Sequence, residues 1–109
     1  MSTTRQAPAL KSVDLFKIIT VRDETIIGLT ESDCAHVQGH DVSAVARALL
    51  ARGELTVWQY AVRKGHDGDL ELAPLRRVSI LKHDCLRVEP YLTQLRVLAV
   101  SDHGPEPDL

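Results

Sequence analysis

Aromatic side chains are scarce in this 109-residue chain: Phe16, Trp58, Tyr60 and Tyr91 make up 4% of it. So few rings cannot build the stacking platforms on which single-stranded nucleic acids bind. Charge of one sign is lacking too. Thirteen Lys and Arg against fifteen Asp and Glu leave a formal net charge of −2, which gives a nucleic acid no electrostatic footing. The cysteines, Cys34 and Cys85, are too few for a disulfide framework. The six glycines are scattered, so there is no phosphate-cradling loop and no Gly-x-Ser-x-Gly nucleophile turn. No apolar run approaches the ~18–20 residues of a membrane-spanning helix. Residues 1–12, MSTTRQAPALKS, lack the apolar stretch of a secretory signal. These absences predict a cytoplasmic protein with reduced thiols, no membrane or nucleic acid partner, and no cofactor.

What the chain does contain is ordinary for a folded domain: 44% apolar and 26% charged residues. A chain of this length suits one domain with one core. The polar, Pro-containing residues 1–12 read as a flexible arm. The acidic SDHGPEPDL of residues 101–109 reads as a tail, leaving 13–100 as the globular unit.

Hydrophobic periodicity gives the elements. LFKIITVR (15–22) and TIIGL (25–29) are short and β-branched, which predicts a hairpin turning near Asp23. Thr30-x-x-Asp33 resembles a capping box for a short helix stopped by Gly39. Asp41 caps a second helix over 42–52, with Gly53 as its stop and Val42, Val45, Ala46 and Leu49 as its buried stripe. LTVWQYAVRK (55–64) is a strand, followed by a turn with Asp67-Gly68. Its return begins LELA, and Pro74 marks a bulge, an edge or a break before a further strand over 76–82. Cys85–Glu89 alternates with Leu86 and Val88 inward, and 94–100 reads as the last strand. Strands and helices do not alternate. The expected fold is therefore α+β: a mainly antiparallel sheet of five to six strands, as a sandwich or half-barrel, with one principal helix at about 42–52 packed on it.

Candidate chemistry is thin. Cys34, His36 and His40, with His83 and Cys85, offer enough soft and borderline ligands for a zinc ion, but their spacing matches no standard zinc pattern. The plainer reading makes the cysteines small core residues and leaves the histidines at loop ends. Gly-His-Asp occurs at 39–41 and again at 65–67. Asp41 is better read as a helix cap and Asp67 as a turn residue than as catalytic partners of their histidines. Trp58 and Tyr60 project from one face of the central strand, while Arg76, Arg77, Arg87 and Arg96 make the C-terminal sheet locally basic; these are the candidate interaction residues.

With no catalytic constellation in view, the expected role is that of a small non-catalytic interaction protein. It would be an accessory subunit, assembly factor or regulator that docks on another protein or on copies of itself. A His/Cys metal-binding or ligand-sensing module, and a small enzyme with its site at a dimer interface, are the alternatives.

Overall fold

The computed structural model describes residues 13–100, so the arm and tail expected at 1–12 and 101–109 lie outside the described residues. The elements run β1 (Asp14–Thr20), β2 (Glu24–Leu29), α1 (Glu31–Val37), α2 (Val42–Arg52), β3 (Glu54–Lys64), β4 (Leu70–Leu81), a 3-10 turn (Lys82–Asp84), β5 (Cys85–Pro90) and β6 (Arg96–Val97). The strands form one sheet in the order β5-β1-β2-β3-β4-β6, antiparallel except where β6 joins β4. The α+β class and the helix over 42–52 agree with the sequence. The sheet is single and open, not closed into a barrel, and a second, shorter helix joins the principal one.

Local chemistry explains the turns. The first hairpin needs neither Gly nor Asn because Thr20 organises it. The Thr20 N–H donates to the Asp23 carbonyl (2.9 Å), its hydroxyl donates to Asp23 Oδ1 (2.9 Å), and it accepts the Asp23 N–H (3.0 Å). Both halves of the Thr30–Asp33 capping box form. The end of α1 differs from expectation: Gln38, not Gly39, takes the left-handed conformation, with φ 62°. Gly39 is needed for another reason, since a Cβ there would stand 2.7 Å from that of Ala44. This close approach seats the turn against α2. Asp41 caps α2 by accepting the Ala44 N–H (2.9 Å).

The main core lies between the helices and one sheet face. It holds Phe16, Ile18, Ile27, Leu29, Leu55 and Val57 from strands, with Cys34 and Val37 from α1. The stripe on α2 is rotated from the expected one: Ala44, Val45, Ala48 and Leu49 are buried, while Val42 and Ala46 lie at its margin. With Ala44 drawn under Gly39, the face one residue further round meets the sheet.

Pro74 proves to be a bulge marker and not a break. β4 is continuous, and its register slips where Gln59 faces Arg76 but Tyr60 faces Pro74, leaving Leu75 without an opposite residue. A second slip between Ile19 and Thr20 leaves Leu86 unopposed on β5. Leu86 is therefore 63% exposed and not inward, whereas Val88 packs on the core. The expected strand at 94–100 shrinks to Arg96–Val97, since the chain has to cross from one edge of the sheet to the other. It crosses over the face opposite the helices. The Tyr91 N–H first adds one more rung to the β5–β1 ladder, at the Leu15 carbonyl (3.2 Å); on the crossed face the Tyr60 hydroxyl donates to the Leu98 carbonyl (2.7 Å).

Candidate functional site

Two places gather chemistry, and α1 forms a wall of both. The first is a cleft of about 800 Å³ between α1 and the beginning of β3, lined among others by Asp33, His36, Val37, Thr56, Trp58 and Arg77. It exists because β2 stops pairing with β3 early. β3 is laddered to β4 along its whole length, but to β2 only at Gln59 and Trp58. Beyond Leu29 the chain turns into α1, so among the described residues no strand pairs with the β2-facing edge of residues 54–57. Which backbone groups face that edge follows from the antiparallel alternation. The Lys82 N–H donates to the Gly53 carbonyl (2.9 Å), so Gly53, Leu55 and Val57 exchange hydrogen bonds with β4. Glu54 and Thr56 accordingly point their N–H and C=O groups into the cleft.

Arg77 lies across this edge. Its guanidinium sits 5.5 Å from the Trp58 ring centroid, donates to the Thr56 carbonyl (3.1 Å) and stands 3.9 Å from Asp33. The ring face and the carbonyl both favour the cation there. Arg52 is also turned inward, donating to the His36 carbonyl (2.7 Å). Glu31 and Glu54 line the same cleft and are exposed, with no ion pair among the described residues.

The second place is a side-chain cluster. Asp14 at the start of β1, Cys34 in α1 and His40 in the turn before α2 bring their ligand atoms within 4.8 Å of one another. Asp14 Oδ2 is the hub: the Cys34 thiol donates to it (3.2 Å) and His40 Nδ1 lies 2.7 Å away. Cys34 is buried. Burial first, then the Asp14 hydrogen bond and the charges of Asp14, Asp33 and Glu31, pushes its thiol pKa up to about 12. This is the opposite of an activated cysteine. The order is also wrong for a nucleophile–base pair, because the carboxylate, not the imidazole, receives the thiol proton.

The residues singled out from sequence scatter. Of the five soft ligands only Cys34 and His40 meet. His36 bonds the Ser32 carbonyl through Nδ1 (3.0 Å), His83 lies 3.6 Å from Asp84 on the exposed 3-10 turn, and Cys85 is half-buried against the main core. Asp14 was not among the candidates; a lone carboxylate 20 residues from Cys34 leaves no spacing signal. Asp41 and Asp67 cap a helix and a turn, as the plainer reading had them. Among the interaction candidates, Trp58 and Arg77 share the cleft. Tyr60 is 2% exposed and bonded to Leu98, so its ring belongs to the interior. Arg96 is tied to buried Glu71 (2.7 Å), Arg87 to its strand neighbour Glu89 (2.6 Å), and Arg76 lines a smaller hollow beside Gln59. Among the described residues no helix is long and apolar enough to cross a membrane. Comparison of the chain with protein-family models, with characterised proteins and with solved structures found no match.

Proposed function

We propose that this protein is a small interaction module that takes an extended segment of a partner protein into the cleft, by strand addition to the free edge of β3. The observation that carries this reading is the edge itself: Glu54 and Thr56 direct backbone donors and acceptors into an open cleft with Trp58 at its end. A partner strand would satisfy those groups, and main-chain bonds of this kind supply affinity without a deep pocket. Residues 54–57 span roughly 13 Å at ~3.3 Å per residue, room for a short strand. Exposed Glu31 and Glu54 at the rim, and Trp58 with Val37 on the walls, favour a segment that alternates basic and apolar residues. Arg77 would swing from the Thr56 carbonyl as the partner backbone takes its place.

The test is selection from a displayed library of random linear peptides, followed by amide chemical shifts for a synthetic copy of the enriched sequence. Enrichment of alternating basic–apolar sequences, with shifts concentrated at residues 54–58 and on α1, is the expected result. Thr56→Pro is the decisive variant. It deletes an N–H that β4 does not use, and proline is tolerated where an edge faces away from its ladder. It should leave the circular dichroism spectrum unchanged and weaken the peptide about tenfold or more, the worth of one well-made hydrogen bond. Undiminished binding by Thr56→Pro, or no enrichment at all, refutes the reading.

A further inference from the structure

We infer that Asp14, Cys34 and His40 form a binding site for a borderline-soft divalent cation, zinc being the type. The case stands apart from the peptide reading and rests on geometry. Three chemically different ligands come from three separate elements, and all aim their donor atoms at one point. Zinc bonds of about 2.0–2.3 Å set the ligand atoms of a tetrahedral site roughly 3.3–3.7 Å apart. Here Cys34 Sγ and Asp14 Oδ2 are already 3.2 Å apart, and His40 Nδ1 and Asp14 Oδ2 are 2.7 Å apart. Sub-ångström opening of the His–Asp pair, within a cluster whose ligand atoms all lie within 4.8 Å of one another, would seat the ion.

Each ligand is positioned by something firmer than the cluster. Asp14 is laddered opposite Leu29 at the start of β1. Cys34 follows directly on the Thr30–Asp33 capping box, and its backbone N–H bonds the Thr30 carbonyl (2.9 Å). His40 follows the Gln38–Gly39 turn, which the contact with Ala44 locks in place. The His40 side chain is 71% exposed yet turns its Nδ1 inward. Asp14 is 37% exposed, so a fourth position opens toward solvent for water or an outside ligand. Among the described residues no Lys or Arg pairs with Asp14. Thiolate with imidazole selects zinc or its neighbours over magnesium and calcium, which take oxygen alone. On binding, the Cys34 S–H bond breaks and its proton passes to solvent, the His40 ring proton moves from Nδ1 to Nε2 to free the Nδ1 lone pair, and the thiolate sulfur takes up the metal–sulfur bond, with no change of oxidation state.

The experiment uses the full chain, free of tags and stripped by chelator, titrated with zinc alone against a chromogenic chelator and with cobalt as a spectroscopic substitute. One zinc per chain and a thiolate-to-cobalt charge-transfer band are expected. The band should vanish in Cys34→Ser and persist in Cys85→Ser. His40→Gln, on an exposed side chain that does not threaten the fold, should weaken zinc by roughly 100-fold or more, since removing even an outer partner of a ligand costs 10–100-fold. No zinc retained by the folded protein, affinity unchanged in His40→Gln, or a cobalt band that follows Cys85 would each overturn the site.

Discussion

Gly28 is the position where the packing of this sheet is most sharply testable. It sits in β2 between Ile27 and Leu29, both buried on the helix side, so its own α-hydrogens face the opposite side. The Tyr60 ring covers it there. A Cβ at Gly28 would overlap Tyr60 Cε1 and stand 2.7 Å from Tyr60 Cδ1 and 2.8 Å from Val13 Cγ1. The ring is not free to move aside, because its hydroxyl is held by the Leu98 carbonyl at 2.7 Å. Relief therefore means breaking that bond, worth about 1 kcal/mol, or shifting the strand. Gly28→Ala should accordingly cost about 1–3 kcal/mol, the range for an extra methyl forced into a packed site. In a Tyr60→Ala background most of that cost should vanish, since only the Val13 methyl at 2.8 Å is left to turn aside and alanine loses less backbone entropy than glycine. The two mutations should then couple by about 1–3 kcal/mol in a double-mutant cycle. Urea unfolding of the four proteins, with midpoints compared at constant slope, measures it. A cost below ~0.5 kcal/mol for Gly28→Ala, or additive effects in the cycle, would show that the ring does not rest on Gly28 and that the described crossing of the C-terminal segment is wrong.

Two further outcomes check the core and the ion-pair cluster. Leu49→Ala should lose about 2–5 kcal/mol in chemical denaturation, while Leu50→Ala, 66% exposed, should change stability by less than ~0.5 kcal/mol; equal losses would mean a different rotation of α2. Glu71, buried under Arg63 (2.9 Å) and Arg96 (2.7 Å), has its carboxyl held below the ordinary 4.5 by the hydrogen bond from Arg63 and then that from Arg96. A lowered folded value means that its contribution is fully present above pH 4.5 and is lost as pH falls through that lower value. The stability gap between wild type and Glu71→Gln, from thermal melts at stepped pH, should therefore be level above pH 4.5 and narrow below it; a gap that stays constant into acid refutes the pairing.

What was legible in the sequence was what local chemistry decides. Asp41 and Gly53 bracket a helix whose bounds, Val42–Arg52, are those the caps dictate. Thr30 and Asp33 announced a short helix that is there. The errors lie where distant parts of the chain decide. Alternation predicts a buried Leu86, but the slip beside Thr20 turns it out to solvent. Apolar residues predict a last strand over 94–100, but residues 91–95 are spent crossing from β5 to β4, and only Arg96–Val97 pair there as a strand. Alternation predicts that Tyr60 shares a surface with Trp58. The residues do share a face, yet the crossing segment covers the one and leaves the other beside the cleft.

The two sites share a single origin, and it explains why each was only half visible, the cleft through Trp58 and Arg77 and the cluster through Cys34 and His40. Thr30 ends β2 by capping α1, so the chain leaves the sheet at Leu29, before it has run alongside residues 54–57. That departure does two things at once. It uncovers the β3 edge and sets α1 beside it as the far wall of a cleft. It also carries Cys34, on the turn after the cap, back over the start of β1, where Asp14 lies opposite Leu29. The histidine and cysteine could be picked out by residue type, as metal chemistry favours them. The carboxylate that joins them could not, since aspartates are common and this one reaches the pair only through the fold of the hairpin. The open edge carries no residue signature either: it is made of backbone, and the backbone is exposed by the path of another strand. A capping box is a local feature with a stability worth of about 1 kcal/mol. Its larger consequence in this chain is topological, because it fixes where the sheet stops being paired.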